Sequence, residues 1–154
     1  MTNNDILRRI RYTFDFNDST MMAIFKSAEY PASRAEISDW LKKEDDEAYK
    51  NCSDKHLAIF LNGLINEKRG KREGMQPLPE KKLTNNIILT KLKIALNFQA
   101  EDMLQTLELA GFTFSKHELS ALFRKKGHKH YRECKDQILR NFLQGIQIKF
   151  REET

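Results

Sequence analysis

Residues that break helices are scarce in this sequence. Three prolines and six glycines are spread over 154 residues, which argues against a turn-rich β architecture and for helices. Two cysteines are too few for a disulfide framework, so both are expected as reduced thiols. No apolar run approaches the roughly 20 residues that a membrane-spanning helix needs. The opening residues Met1-Thr2-Asn3-Asn4-Asp5 contain no basic segment leading into an apolar one, so no signal peptide is expected and the location is read as cytoplasmic. A Gly-rich phosphate loop, a metal-protease helix and a serine-nucleophile turn are all missing. The expectation is therefore a protein that is not an enzyme and has no cofactor or metal.

What is present suits a folded globular chain: 40% hydrophobic and 32% charged residues, with ten phenylalanines. A chain of this length buries about 68–70% of its unfolded surface, enough for a core without staples. The net charge of +5 is unevenly placed. Residues 1–74 hold 13 basic and 13 acidic side chains, whereas residues 84–154 hold 12 and eight. That excess permits anionic partners but is far from the dense stripe of a dedicated nucleic-acid binder.

The organising feature is a duplication. Tyr49, Cys52, Asp54, Leu57, Phe60, Leu61 and Gly63 return as Tyr131, Cys134, Asp136, Leu139, Phe142, Leu143 and Gly145, each moved by 82 positions. Residues 2–72 align with 84–154 without a gap, and apolar meets apolar where identities differ, as at Phe25/Leu107 and Trp40/Leu122. A period of 82 is too long for one solenoid unit. The reading is an all-α fold of two tandem four-helix copies packed together, with a pseudo-twofold axis as one way to share a face. The boundaries are 1–72 for the first repeat, 73–83 for a Gly/Pro-punctuated linker and 84–154 for the second repeat.

Within each copy, Leu7, Ile10 and Phe14, or Leu89, Leu92 and Leu96, mark the inward face of a first helix capped at Asn3 or Asn4 and at Asn85 or Asn86. A short second helix carries Met22, Phe25 and Ala28, or Leu104, Leu107 and Ala110. The third opens on capping boxes, Ser33 with Glu36 and Ser115 with Glu118. The fourth and longest starts at Ser53 or Asp54, buries Leu57, Phe60, Leu61 and Leu64, and in the second copy runs on to Phe150. Gly63 and Gly145 lie inside these last helices. A mid-helix glycine costs about 0.5–1 kcal/mol against alanine, so its recurrence implies the close approach of another backbone.

Several residues invite chemistry. Cys52 with His56 and His130 with Cys134 stand at the i, i+4 spacing of a helical pair, but the histidines are not equivalent between copies, and buried packing cysteines are the better reading. Asp54 and Asp136 are read as caps of the longest helices. Tyr49 and Tyr131 are read as packing their rings on the core with the hydroxyl tied to backbone. The candidate contact surface for an anion or nucleic acid is the run from 124 to 132, with Arg124, Lys125, Lys126, Lys129, Arg132 and two histidines, set against a solvated loop at a helix end. The same frame in the first copy carries Glu44, Asp45, Asp46 and Glu47. A helix-turn-helix built from the second and third helices is weakened by Asp39 on the exposed side of the third.

At Asn3-Asn4-Asp5-Ile6-Leu7-Arg8, Trp40-Leu41-Lys42-Lys43-Glu44-Asp45, Phe60-Leu61-Asn62-Gly63-Leu64-Ile65 and Glu67-Lys68-Arg69-Gly70-Lys71 the chain resembles the bacterial YehS-like proteins. That resemblance covers nearly the whole length. It implies a cytoplasmic bacterial protein made of two copies of a domain of unknown function, and it brings no catalytic residues. The functional expectation is a non-catalytic protein-binding or assembly module, with an unknown protein partner or self-association and no membrane. The alternative is a nucleic-acid-binding regulator that uses the basic loop.

Overall fold

The structure, a computed structural model, describes residues 1–152. It is all-helical among those residues: α1 (Asn3–Phe14), α2 (Asp18–Ser27), α3 (Arg34–Leu41), α4 (Asp54–Arg69), α5 (Asn85–Leu96), α6 (Ala100–Leu109), α7 (Lys116–Leu122) and α8 (Asp136–Gln147). The chain forms two compact units, Met1–Leu83 and Thr84 onward, so the segment from 73 to 83 clusters with the first.

Helix starts follow local side-chain chemistry, with shifts of a residue from the sequence reading. Thr2 and Thr84, not the asparagines after them, cap α1 and α5 by accepting the amides of Asp5 and Ile87. The asparagines lie inside the first turn, where their side chains are available for other work. Asp15 (φ 53°) and Asn97 (φ 56°) close these helices in the left-handed region, which Asp and Asn tolerate better than other side chains. Ser33 and Ser115 cap α3 and α7 through the amides of Glu36 and Glu118, at 3.0 Å each. The reciprocal half of the box forms only in the second unit, where the Glu118 carboxylate accepts the Ser115 amide at 3.1 Å. The Glu36 carboxylate accepts the Tyr30 hydroxyl instead.

Each unit packs its fourth helix against its second helix at very short range. A Cβ built on Gly63 of α4 would lie 2.0 Å from the carbonyl oxygen of Ile24 in α2. One on Gly145 of α8 would lie 2.0 Å from that of Thr106 in α6. The recurrent glycine is thus the condition for this crossing. Around it the first core gathers Leu7, Ile10, Met21, Ile24, Phe25, Leu57, Phe60 and Leu64. The Phe25 ring stands 5.4 Å from Phe60 and 5.5 Å from Trp40. The second unit repeats the pattern with Leu89, Leu92, Met103, Leu107, Leu139, Phe142 and Ile146.

Some expected core positions differ. Met21 and Met103 are fully buried in α2 and α6, in place of the expected Met22 and Leu104 one position later. Phe14 is only half-buried, because it ends α1 and stacks on Phe16 with the Lys68 ammonium 4.4 Å over its ring. The last helix stops as α-helix at Gln147, and residues 148–152 widen into a π turn carrying Phe150. Phe150 stacks on Phe98 there at 6.2 Å.

Candidate functional site

Asparagine side chains build the platform for the basic loop. Asn86, 6% exposed, donates from its Nδ2 to the carbonyls of Leu122 and Arg132, both at 2.9 Å. Its Oδ1 accepts the Cys134 amide at 2.9 Å. The three bonds pin the end of α7 and the return of the loop to one point in the core. Next to it, Asn85 donates to the Cys134 carbonyl at 3.0 Å and to the Asp136 carboxylate at 2.7 Å. The Asp136 side chain, read as a cap but lying in the first turn of α8 after Lys135, therefore holds the neighbouring helix α5, and that bond is the main reason its carboxyl stays below the usual range.

The first unit reproduces this arrangement atom for atom. Asn4 donates to the carbonyls of Trp40 at 2.9 Å and Lys50 at 2.8 Å, and accepts the Cys52 amide at 3.0 Å. Asn3 donates to the Cys52 carbonyl and to Asp54, whose other oxygen accepts the Leu83 amide at 2.8 Å. The loop backbones match as well. Asp46 and Tyr49 donate to Lys43 and Asp46 at 3.0 Å each, as His128 and Tyr131 donate to Lys125 and His128 at 2.9 Å each. Even the side-chain turn is kept, since Asp46 accepts the Ala48 amide and the His128 Nδ1 accepts the His130 amide.

On these matched frames the charges are opposite. Arg124, Lys125, Lys126 and Lys129 are all exposed, and none has a side-chain partner among the described residues. Arg132 differs. Its guanidinium lies 3.5 Å from the Glu118 carboxylate and 5.4 Å from the Phe114 ring, so part of its charge is already committed within the unit. The Tyr49 hydroxyl bonds the Asn51 side chain at 3.3 Å rather than backbone.

The cysteine–histidine pairs read from spacing do not form. Cys52 and Cys134 lie before α4 and α8 begin, so no shared helix turn brings a histidine to them. Both thiols are buried, and that burial, aided by Asp54 and Asp136, pushes Cys52 up to about 12 and Cys134 up to about 11. Among the described residues, no group of three His, Cys, Asp or Glu side chains is placed to hold a metal ion. No helix among them is long and apolar enough to cross a membrane.

Comparison with known proteins matches one family model twice, over residues 3–70 and 85–152, described as "Protein of unknown function (DUF1456)". The chain belongs to this DUF1456 family. It is 44% identical over 147 residues to the "Uncharacterized protein YehS" of Escherichia coli (strain K12), covering 95% of this chain and 94% of that one. No solved structure matches. The two family matches fall on the two asparagine-clamped units.

Two groups of functional interest escaped the sequence reading. The clamp asparagines were visible as a repeated Thr-Asn-Asn, but their partners lie 36 to 48 residues away, beyond the reach of local capping rules. The other group surrounds His56, which bonds Ser53 and Tyr30 instead of Cys52. Burial, and then the Glu36 carboxylate, hold the Tyr30 phenol above its usual range, so it keeps its proton and donates it to Glu36 at 2.9 Å.

Proposed function

We propose that this DUF1456 protein is a non-catalytic binding and assembly module, and that the clamped loop at 124–132 is its contact surface for an acidic protein segment. The observation that supports this reading is the anchored loop itself, with four exposed cations that have no side-chain partner. A loop held at both ends presents its charges at little further cost in ordering, which is what favours association. Opposite charges then steer the encounter and set its register. The chain carries one acidic segment of matching frame, Glu44, Asp45, Asp46 and Glu47. A second copy of the chain is therefore the partner proposed, meeting head to tail.

Sedimentation velocity of the full chain at low and high salt tests this. Self-association that weakens with salt, and is lost in a Lys125→Glu, Lys126→Glu, Lys129→Glu variant, is the expected result. A monomer at every concentration and salt would overturn the self-assembly. Tight, steeply salt-dependent binding of duplex or single-stranded DNA or RNA by the same loop would favour a nucleic-acid regulator instead.

A further inference from the structure

The duplication supplies an internal control for one more cluster. Glu36, Tyr30, His56 and Ser53 form a continuous hydrogen-bonded chain in the first unit. Tyr30 donates to Glu36 at 2.9 Å, the His56 Nε2 lies 3.2 Å from the Tyr30 oxygen, and the His56 Nδ1 lies 2.7 Å from the Ser53 Oγ. Because the Tyr30 proton goes to Glu36, the Tyr30 oxygen must accept from Nε2–H. That fixes the tautomer, and Nδ1 is left as an acceptor for the Ser53 hydroxyl. The imidazole also packs against two rings, tilted against Trp40 at 4.7 Å and edge-on to Tyr30 at 5.2 Å.

In the second unit the equivalent positions are Glu118, Phe112, Ile138 and Lys135, with Leu122 in place of Trp40. The clamp, the caps and the glycine crossing recur in both units. The relay does not, so the fold itself does not require it. A serine bonded to a histidine base, with the base oriented by a third group, is the arrangement that activates a hydroxyl for attack. Ser53 is exposed, so its oxygen is reachable from solvent.

We propose that Ser53 is a nucleophile activated by His56, and that it accepts an acyl group from an activated ester or thioester. This self-acylation, which ends at the O-acyl serine without turnover, goes beyond the non-catalytic binding role above and does not rest on it. The Ser53 Oγ forms a bond to the carbonyl carbon while its proton passes to Nδ1 of His56. The bond from that carbon to the leaving oxygen or sulfur then breaks, and the proton on Nδ1 passes to the departing alkoxide or thiolate. An O-acyl serine and a free alcohol or thiol result. Tyr30 is a positioning residue that accepts Nε2–H and steadies the charged imidazole while the proton resides there.

Ser33 and Ser115 serve as references within the same molecule. Each caps a helix by accepting an amide at 3.0 Å, as Ser53 does at 3.1 Å, and neither has an imidazole in hydrogen-bonding reach. The full chain is treated with p-nitrophenyl acetate, and acetylation of the three serines is followed by peptide mapping over a range of pH. Ser53 is expected to react about 100-fold or more faster than Ser33 and Ser115. That advantage should vanish in His56→Asn. Tyr30→Phe should displace the pH profile of Ser53 acetylation while leaving Ser115 unchanged. Equal rates at the three serines in the unmodified protein would overturn the proposal without reliance on any variant. So would stable acetylation of His56 in place of Ser53, or an unchanged Ser53 rate in a folded His56→Asn protein.

Discussion

Asn4 accepts the backbone amide of Cys52 at 3.0 Å while donating to both flanks of the loop that precedes it, and Asn86 repeats this with Cys134. A buried amide with all its partners in place adds modest net stability, but removing it leaves those partners stranded at about 1–3 kcal/mol each. Asn86→Ala strands the Leu122 and Arg132 carbonyls and the Cys134 amide. A loss of about 3 kcal/mol is expected, measured by urea unfolding, with the loop at 124–132 showing faster hydrogen exchange. Retention of native stability would mean that the loop ends are held by something other than the clamp.

The glycine crossing gives a sharper test. Alanine raises helix propensity by about 1 kcal/mol over glycine, so a merely tolerated glycine would be stabilised by Gly63→Ala. Here the new methyl meets the Ile24 backbone oxygen at 2.0 Å, and α2 must move away. Overpacking of this kind costs about 1–3 kcal/mol and occasionally more. Gly63→Ala and Gly145→Ala are both expected to lower the unfolding midpoint.

The buried thiols set an alkaline limit. Their folded values, about 12 and about 11, lie above the ordinary 9.0, so the unfolded chain releases these protons first as pH rises. Their contribution is intact below pH 9.0 and is lost between there and the folded values. Each thiol lowers stability by up to about 1.4 kcal/mol per pH unit in that window. Unfolding free energies measured from pH 8 upward should fall less steeply in a Cys52→Ala, Cys134→Ala protein than in the parent. Native thiols should also react slowly with a disulfide reagent at neutral pH.

Within the basic loop, two behaviours should separate. Lys125→Ala, Lys126→Ala and Lys129→Ala remove exposed charges without side-chain partners among the described residues and should leave stability within about 0.5 kcal/mol, while weakening the proposed self-association. Arg132→Ala removes a contact with Glu118 and a ring contact with Phe114. It should show a measurable drop in thermal midpoint along with any loss of binding.

The helices, their order and the close-contact glycines were legible in the sequence because each depends on residues near one another in the chain. Ser33 and Ser115 act within one turn of their partners. The Thr caps were misread by one or two residues because Thr-Asn-Asn offers three capping side chains in a row, and only the demand for Asn4 at Trp40 and Lys50 selects among them. Met21 was missed for Met22 because adjacent methionines give no local phase. Of the candidate surface, four cations are exposed, while Arg132 is drawn to Glu118 by the fold. The link from His56 to Tyr30 spans 26 residues and depends on Glu36 leaving its box, which no spacing rule anticipates.

The bonds that fix each loop's ends run from an asparagine side chain to main-chain groups, and main-chain groups are the same whatever residues the loop carries. Loop and scaffold are thereby chemically separate, as in a socket that accepts interchangeable inserts. Residues 125–131 should be transplantable onto the frame of residues 43–49, giving a chain with two basic loops on unaltered units, and the reverse exchange should give two acidic ones. Duplication followed by change of the insert alone is then a direct route by which one ancestral unit could have acquired two surfaces of opposite sign.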